Sequence, residues 1–171
     1  VVAPFTHIYG FLTGVTNPIL KAGTIVIPEM FRPDMIVNLL VDEKISIFGG
    51  GPPAIYQALL SYPDLETTKM PHLRVCPGGG APFPLNVHKN WKKATGLTIH
   101  EGYGMTEIAP ISVNTEKEGV KLGTAGKPAP DTMIEIVDIE KGENILSSGE
   151  LGEIRIKGPH MMTEYDGNPE E

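Results

Sequence analysis

Three consecutive glycines occur twice in this sequence, at residues 49–51 and 78–80. Each run follows a short apolar stretch and precedes a segment with helical spacing, and the runs are 29 residues apart, which is about the length of one strand-plus-helix unit. Repeated strand–turn–helix units are typical of an α/β fold with parallel strands. In such a sheet these turns lie at the carboxyl ends of the strands, where ligands bind. The repeat therefore predicts both the fold class and the edge that carries a site.

The same alternation predicts four strands and three helices between residues 24 and 100. Apolar runs predict strands at residues 24–27, 45–48, 73–76 and 98–100. Helical spacing predicts helices that begin near Pro33, Pro53 and Pro84, the last of which ends at Gly96. Their predicted buried residues are Met35, Ile36, Leu39 and Leu40, then Ile55, Tyr56, Leu59 and Leu60, then Val87, Trp91 and Ala94. The result is a partly parallel open sheet with flanking helices.

The pattern changes after Pro110. Residues 133–137 and 152–157 alternate apolar and polar side chains on either side of a glycine-containing turn, which predicts a C-terminal antiparallel β-ribbon. The residues predicted to face solvent are Glu135, Glu153, Arg155 and Lys157, so the opposite face should be packed. We divide the chain into a βα-repeat portion, residues 1–114, and a loop and ribbon portion of the same domain, residues 115–171.

Composition excludes several classes of protein. The 14 Lys and Arg residues are outnumbered by 21 Asp and Glu, so there is no basic excess to bind a phosphate backbone, and we expect no nucleic-acid partner. No apolar stretch approaches the length of a transmembrane helix, and no signal peptide is evident, which predicts a cytoplasmic protein. A single cysteine, Cys76, excludes an internal disulfide and a cysteine-based zinc site.

The densest group of chemically suited residues is the Glu-Gly-Tyr-Gly-Met-Thr-Glu sequence at residues 101–107, directly after the fourth predicted strand. A tyrosine between glycines can cover a flat ligand, a threonine can donate to a phosphate, and a carboxylate can hold Mg²⁺. A Gly-Tyr-Gly turn with a capping threonine is an equally good interpretation on local chemistry alone. The dinucleotide fingerprint fails because residue 107 is Glu, and the P-loop pattern fails because Pro128 follows Lys127.

The Tyr-Gly-Met-Thr-Glu sequence at residues 103–107 resembles the core motif of the adenylate-forming superfamily, which includes acyl-CoA synthetases, luciferases and peptide-synthetase adenylation domains. Four other segments resemble family motifs in the family's order. They are residues 4–10 (the substrate-side His motif), 73–82 (the adenine segment), 123–128 (the loop after the core motif) and 149–158 (the late strand motif). These motifs cover nearly the whole chain and look most like fatty acyl-CoA ligases.

The resemblance implies a role for each matching residue. Gly79, Gly80 and Ala81 would lie along an adenine, Tyr103 would stack on it, and Gly102 and Gly104 would allow its close approach. Thr106 would contact the α-phosphate, and Glu107 would bind Mg²⁺. His7 would lie beside the substrate carboxylate; a packed or surface histidine is the alternative. Gly49, Gly50 and Gly51 would form a wall of the acyl pocket or, alternatively, only a tight turn.

The activity implied is that of an acyl-CoA synthetase, which uses ATP and Mg²⁺ to convert a carboxylic acid, here a fatty acid, into an acyl-adenylate and then a CoA thioester. The chain would be an internal fragment of the N-terminal domain, inactive alone, with an exposed sheet edge that favours self-association. Two alternatives stay open: a non-catalytic nucleotide-binding or scaffolding domain, and an aryl-acid or amino-acid adenylating enzyme. One departure is that Glu164 precedes Tyr165 where the family usually has Gly-Tyr.

Overall fold

The computed structural model describes residues 1–168; residues 169–171 of the second predicted portion lie outside this range. The helices are α1 (Ile8–Phe11), a π-helical turn (Leu12–Thr16), α2 (Asn17–Leu20), α3 (Pro33–Asp42), α4 (Pro53–Leu60) and α5 (Leu85–Thr95). The strands are β1 (Cys76–Gly78), β2 (Ile99–Met105), β3 (Ile108–Val113), β4 (Lys127–Pro128), β5 (Met133–Val137) and β6 (Glu153–Lys157). Among the described residues, no helix is long and apolar enough to cross a membrane.

A mixed sheet forms the centre of the molecule. Strands β1 to β4 are neighbours in chain order; β1 and β2 run parallel, and the later pairs are antiparallel. Residues 45–51 extend the parallel side through two isolated bridges, Ile47 to Val75 and Gly51 to Gly78. The predicted α/β class, with a partly parallel sheet and flanking helices, is confirmed.

The three long helices lie where the sequence predicts them and supply a large part of the core. Trp91 of α5 is fully buried among aromatic rings, at centroid distances of 4.9 Å from Tyr56 and 6.3 Å from Phe48. Helix α5 ends at Gly96, whose φ of 76° gives the left-handed C-cap that glycine favours. In α3, Val37 is fully buried whereas Met35 is only half-buried, because the buried face is centred one residue later than predicted.

The strand predicted at residues 24–27 is wrong. This segment is extended but lies in no strand, and Ile27 is 61% exposed. A groove of about 700 Å³ is lined on one side by this segment and on the other by residues 45–49. An apolar run becomes a strand only when a partner lies about 4.8 Å away, and none of residues 1–168 forms a β-bridge with this segment.

Two other strand boundaries differ from prediction. Strand β1 is Cys76–Gly78 rather than residues 73–76, and β2 continues to Met105 instead of ending at residue 100. The core motif therefore begins inside a hairpin with β3, and only Thr106 and Glu107 form its turn. Glycines disfavour a strand locally, but the antiparallel partner β3 provides pairing that a single-strand pattern does not reveal.

The C-terminal β-ribbon is confirmed, with β5 and β6 antiparallel and Met133 opposite Lys157. Its predicted packed face is wrong as stated: on that face Ile154 is 48% exposed and Ile156 only half-buried, whereas the buried Val137 lies on the opposite face, across from Glu153. The two-stranded ribbon forms its own small sheet, separate from β1 to β4, so its apolar face is only partly covered. The boundary placed at residue 115 stays a prediction.

Candidate functional site

Three glycine-containing segments meet at one end of the parallel strands. The Gly79 N–H donates to the Gly51 carbonyl at 3.0 Å, and a Cβ built on Gly79 would lie 2.8 Å from the Gly102 carbonyl oxygen. A side chain at residue 79 would therefore force the loop away from β2. Gly80 follows with a φ of +82° and open space around it, and Ala81 is exposed. The loop at residues 79–81 thus combines close backbone contact with an accessible outer surface.

Tyr103 lies on the same face of β2 as Glu101. Side chains two residues apart on a strand share a face, and the Glu101 carboxylate accepts a hydrogen bond from the Phe83 N–H at 3.1 Å. Tyr103 is 38% exposed, so its ring is accessible to a ligand. That the ring stacks on a ligand stays a prediction.

The two glycines beside Tyr103 pack closely against β3. A Cβ on Gly102 would lie 3.1 Å from the Ser112 carbonyl oxygen, and one on Gly104 would lie 3.3 Å from Ala109 Cβ. The strand register shifts between Tyr103 and Met105, which is the position of a bulge. A side chain at either position would be tightly packed against β3, and the role of the two glycines toward a nucleotide stays a prediction.

Glu101 and His88 form a buried pair that the sequence pattern does not predict. Glu101 Oε2 lies 3.1 Å from His88 Nε2 of α5, and the two side chains are 10% and 2% exposed. With the Phe83 N–H on its other oxygen, the Glu101 carboxylate joins α5, the loop and β2. The available signal was a carboxylate placed directly after the predicted strand at residues 98–100, because such a group needs partners when buried.

Thr106 and Glu107 occupy the hairpin turn. Thr106 is exposed and Glu107 is half-buried. The Tyr165 hydroxyl donates to Glu107 Oε1 at 2.7 Å, and this hydrogen bond lowers the pKa of the Glu107 carboxyl. The Met162 N–H also donates to the Glu107 backbone carbonyl at 2.8 Å. The turn thus presents a hydroxyl beside an ionised carboxylate at one exposed end of the sheet.

The donor set at this turn suits a magnesium ion only in company with a phosphate. Within residues 1–168, no group of three or more His, Cys, Asp and Glu side chains could hold a metal ion. Mg²⁺ is commonly bound through one or two carboxylates together with substrate phosphates and water. Glu107 provides one such carboxylate, so the residues present fit a cation carried by a nucleotide.

His7 directly precedes α1 and is exposed. Its Nδ1 accepts a hydrogen bond from the Tyr9 N–H at 3.1 Å, which makes it the N-cap of that helix. Tyr9 then connects α1 to the glycine turns: its hydroxyl donates to the Pro77 carbonyl at 3.2 Å, and burial raises its pKa to about 12. This capping contact gives His7 a structural role, and its position beside a substrate carboxylate stays a prediction.

The glycines at residues 49–51 are all buried. A Cβ on Gly50 would lie 2.7 Å from both the Phe48 and Tyr56 rings, whereas one on Gly51 would meet Tyr9 at an ordinary 3.5 Å. The middle glycine is therefore needed to admit the aromatic core. That the three glycines form a wall of an acyl pocket stays a prediction.

The sequence matches the family of AMP-binding enzymes over residues 1–166. It is 36% identical over 173 residues to the long-chain-fatty-acid–CoA ligase of Bacillus subtilis (strain 168), covering 99% of this chain and 30% of that protein. It is 32% identical over 163 residues to the benzoate–CoA ligase of Thauera aromatica, covering 95% and 31%. The chain therefore spans about a third of the length of these relatives.

Solved structures agree with the sequence matches. Apo MatB from Rhodopseudomonas palustris aligns with a TM-score of 0.87 at 28% identity, covering 96% of this chain and 32% of that one. A benzoate CoA ligase from Burkholderia xenovorans LB400 aligns with a TM-score of 0.85 at 30% identity, covering 99% and 34%. Family match, relatives and fold point the same way: this chain belongs to the family of AMP-binding enzymes.

Proposed function

We propose that this chain is part of an ATP-dependent, AMP-forming acid–CoA ligase. The observation that carries the proposal is the close approach of Gly79 to Gly102, which sets an accessible loop against the strand that bears Tyr103. The hairpin turn with Thr106 and Glu107 continues directly from that strand. The relatives named above, which are acid–CoA ligases, support this assignment.

In the proposed site, Gly79, Gly80 and Ala81 lie along the adenine, and Tyr103 stacks on its face. Thr106 donates to the α-phosphate, whose charge grows during the reaction. Glu107 holds Mg²⁺, which neutralises the triphosphate when bound.

The proposed reaction has two steps. A carboxylate oxygen of the substrate attacks the α-phosphorus of ATP, the bond to pyrophosphate breaks, and an acyl-adenylate forms. The CoA thiolate then attacks the acyl carbonyl carbon, and AMP leaves with the electron pair of the C–O bond. His7 is proposed to lie beside the substrate carboxylate, and residues 49–51 along its acyl chain.

The proposed substrate is a fatty acid. The relatives include a long-chain-fatty-acid–CoA ligase and a benzoate–CoA ligase, so an aryl acid is the competing substrate, and an amino acid is the third. A panel of the three acid classes, measured by pyrophosphate exchange on the protein that contains this chain, distinguishes them. Exchange fastest with benzoate or an amino acid would overturn the fatty-acid assignment.

The isolated chain is proposed to bind nucleotide but not to catalyse. Phosphoryl chemistry depends on positioned charge around the phosphates, and the described residues supply one threonine and one carboxylate at the turn. Calorimetry with AMP tests the stacking assignment. Tyr103→Ala should weaken AMP binding by about 1–3 kcal/mol, whereas Phe31→Ala, which removes a similarly exposed ring elsewhere, should leave it unchanged. Equal heats for wild type and Tyr103→Ala would contradict the assignment.

The non-catalytic binding or scaffolding domain is the second candidate function. It is favoured by the packing of Gly50 against the Phe48 and Tyr56 rings, since this packing would require glycine without any chemistry. This candidate predicts AMP binding by the chain but no pyrophosphate exchange by the protein that contains it. Exchange with any acid would exclude it.

We also propose self-association of the chain through the sheet edge at Ile47. Ser46 and Phe48 make the hydrogen bonds to the next segment of the sheet, so the intervening Ile47 directs its N–H and C=O outward. Its side chain is 59% exposed. Sedimentation at rising concentration should show dimers that Ile47→Lys removes and Ile145→Lys, on the ribbon, does not.

We propose the cytoplasm as the cellular location of the protein.

A further inference from the structure

The segment after β6 returns to the turn that carries Thr106 and Glu107. We call residues 158–165 the return segment. His160 Nε2 lies 2.8 Å from the Pro110 carbonyl oxygen, and the Met162 N–H donates to the Glu107 carbonyl at 2.8 Å. Both contacts fix the backbone of the β2–β3 hairpin. Neither reaches the carboxylate that the proposed function requires.

Tyr165 contacts the Glu107 carboxylate directly. Its hydroxyl donates to Glu107 Oε1 at 2.7 Å across 58 residues of sequence. A glutamate at a hairpin turn has several rotatable bonds, and holding it in one rotamer costs conformational entropy. A hydrogen bond from a fixed hydroxyl to an ionised carboxylate is short and strong enough to select one orientation.

We propose that Tyr165 is a positioning residue, which holds the Glu107 carboxylate in the orientation that meets a divalent cation and a nucleotide phosphate. This inference rests on the proposed function, because it takes Glu107 to be the carboxylate that binds Mg²⁺. It gives the return segment, which contributes no residue to the proposed nucleotide contacts, a direct connection to them. It also accounts for the Glu164-Tyr165 departure, since the role needs the tyrosine hydroxyl and not the preceding glycine.

The test is the gain in ATP affinity that Mg²⁺ provides, measured by calorimetry on this chain with ATP in the presence and absence of Mg²⁺. Tyr165→Phe removes only the hydroxyl and should reduce this gain about three- to tenfold, while affinity for metal-free ATP stays unchanged. Glu107→Gln should abolish the gain. In the Glu107→Gln background, Tyr165→Phe should have no further effect, because the tyrosine acts through the carboxylate.

His160→Gln is the matched control, because it alters another contact of the return segment without touching the carboxylate. It should leave the Mg²⁺-dependent gain unchanged. If it reduces the gain as much as Tyr165→Phe does, the segment acts through backbone packing, and the role of the hydroxyl is overturned. An equal loss of affinity with and without Mg²⁺ in Tyr165→Phe overturns it as well.

The remaining outcomes separate the two proposals. If Glu107→Gln abolishes the gain and Tyr165→Phe retains it, Glu107 keeps its role as the cation ligand and the inference about Tyr165 fails. If wild type shows no gain, or Glu107→Gln retains it, the assignment of Glu107 fails and the role of Tyr165 fails with it.

Discussion

The helical portion and the ribbon of this chain are stabilised in different ways. Around Trp91, Tyr56 and Phe48, aromatic rings are buried at centroid distances of 4.9 to 6.3 Å. In the ribbon, Val137 is buried, but Ile154 and Met133 are about half exposed. The first region therefore depends on apolar burial, and the second depends on strand pairing and polar contacts in its turns.

This difference matters for the candidate site because the two regions contribute different parts of it. The aromatic core underlies the glycine turns, since Gly50 packs directly on the Phe48 and Tyr56 rings. The return segment that follows the ribbon brings Tyr165 to Glu107. A rigid region thus shapes the proposed nucleotide surface, while a more exposed region adds a contact at its edge. Substitutions in the two regions should separate stability from site geometry.

The largest effect is expected at Trp91. Trp91→Ala removes the largest fully buried side chain and should lower the free energy of unfolding by about 3–5 kcal/mol, the usual cost of such a cavity. Ile154→Ala, in the half-exposed ribbon, should cost less than about 1.5 kcal/mol, since less apolar surface is lost. Urea denaturation followed by circular dichroism measures both. Similar losses for the two variants would contradict the division into a buried and an exposed region.

Asn114 should have the second largest effect, because it joins the hairpin to the loop that leads to the ribbon. Its buried amide donates to the carbonyls of Glu101 and Thr124 at 3.2 and 2.6 Å, and its Oδ1 accepts from the Lys121 N–H. Asn114→Ala leaves these backbone groups without that partner and should cost about 1–3 kcal/mol. Thermal denaturation compares it with Asn38→Ala, an exposed change on α3 that should be nearly neutral. A neutral Asn114→Ala would mean that water replaces the amide.

Sequence patterns predicted the three long helices well, missed the short helical turns at residues 8–20, and predicted the strands less well. The helices α3, α4 and α5 follow from local spacing and from proline and glycine at their ends. Residues 24–27 show that an apolar run is not a strand without a neighbour, and residues 101–105 show that glycines can be in a strand when a neighbour exists. Strand pairing is a long-range property that local composition does not contain.

The same limit applies to the candidate site. Tyr103, Thr106 and Glu107 could be singled out from one continuous motif, because their residue types suit a nucleotide. Glu101 carries its partners on α5 and the preceding loop, and Tyr165 meets Glu107 from 58 residues away. Such contacts depend on how separate elements pack. The sequence therefore singles out candidate ligand contacts, but not the residues that hold them in place.

Asp138, in the ribbon turn, should have the third largest effect on stability. Its carboxylate accepts hydrogen bonds from the N–H groups of Lys141, Glu143 and Asn144, and these bonds, led by that of Asn144, lower its pKa from 3.8 to about 2. Because the folded-state pKa is the lower one, the stabilisation is complete above pH about 4 and is lost as the pH falls toward 2. The Asp138→Asn variant should therefore be less stable than wild type at pH 6. Its loss of unfolding free energy should be smaller than that of Asn114→Ala.

Urea denaturation from pH 6 to pH 2.5 measures this dependence. The difference in unfolding free energy between wild type and Asp138→Asn should shrink as the pH falls. Asp131→Asn is the control, because asparagine also tolerates the positive φ of 58° found there, and its difference should vary much less with pH. A gap for Asp138→Asn that is constant over this range would show that the turn does not depend on the charge.

The smallest effect is expected for the ion pair that spans the ribbon. Arg155 Nε and Nη2 lie 2.9 and 2.8 Å from Glu135 Oε2, and Nη1 donates to the Gly142 carbonyl at 2.8 Å. Arg155 is partly exposed, so solvent screens the pair, and Arg155→Ala should lower the free energy of unfolding by about 0.5–1 kcal/mol. Lys157→Ala, on the same exposed face of β6, should change it less. Added salt should reduce the difference between the two variants, because it weakens an exposed ion pair more than it weakens apolar burial. A loss above about 2 kcal/mol for Arg155→Ala would show that the ribbon depends on this charge as the other region depends on Trp91, and the contrast between the two regions would no longer hold.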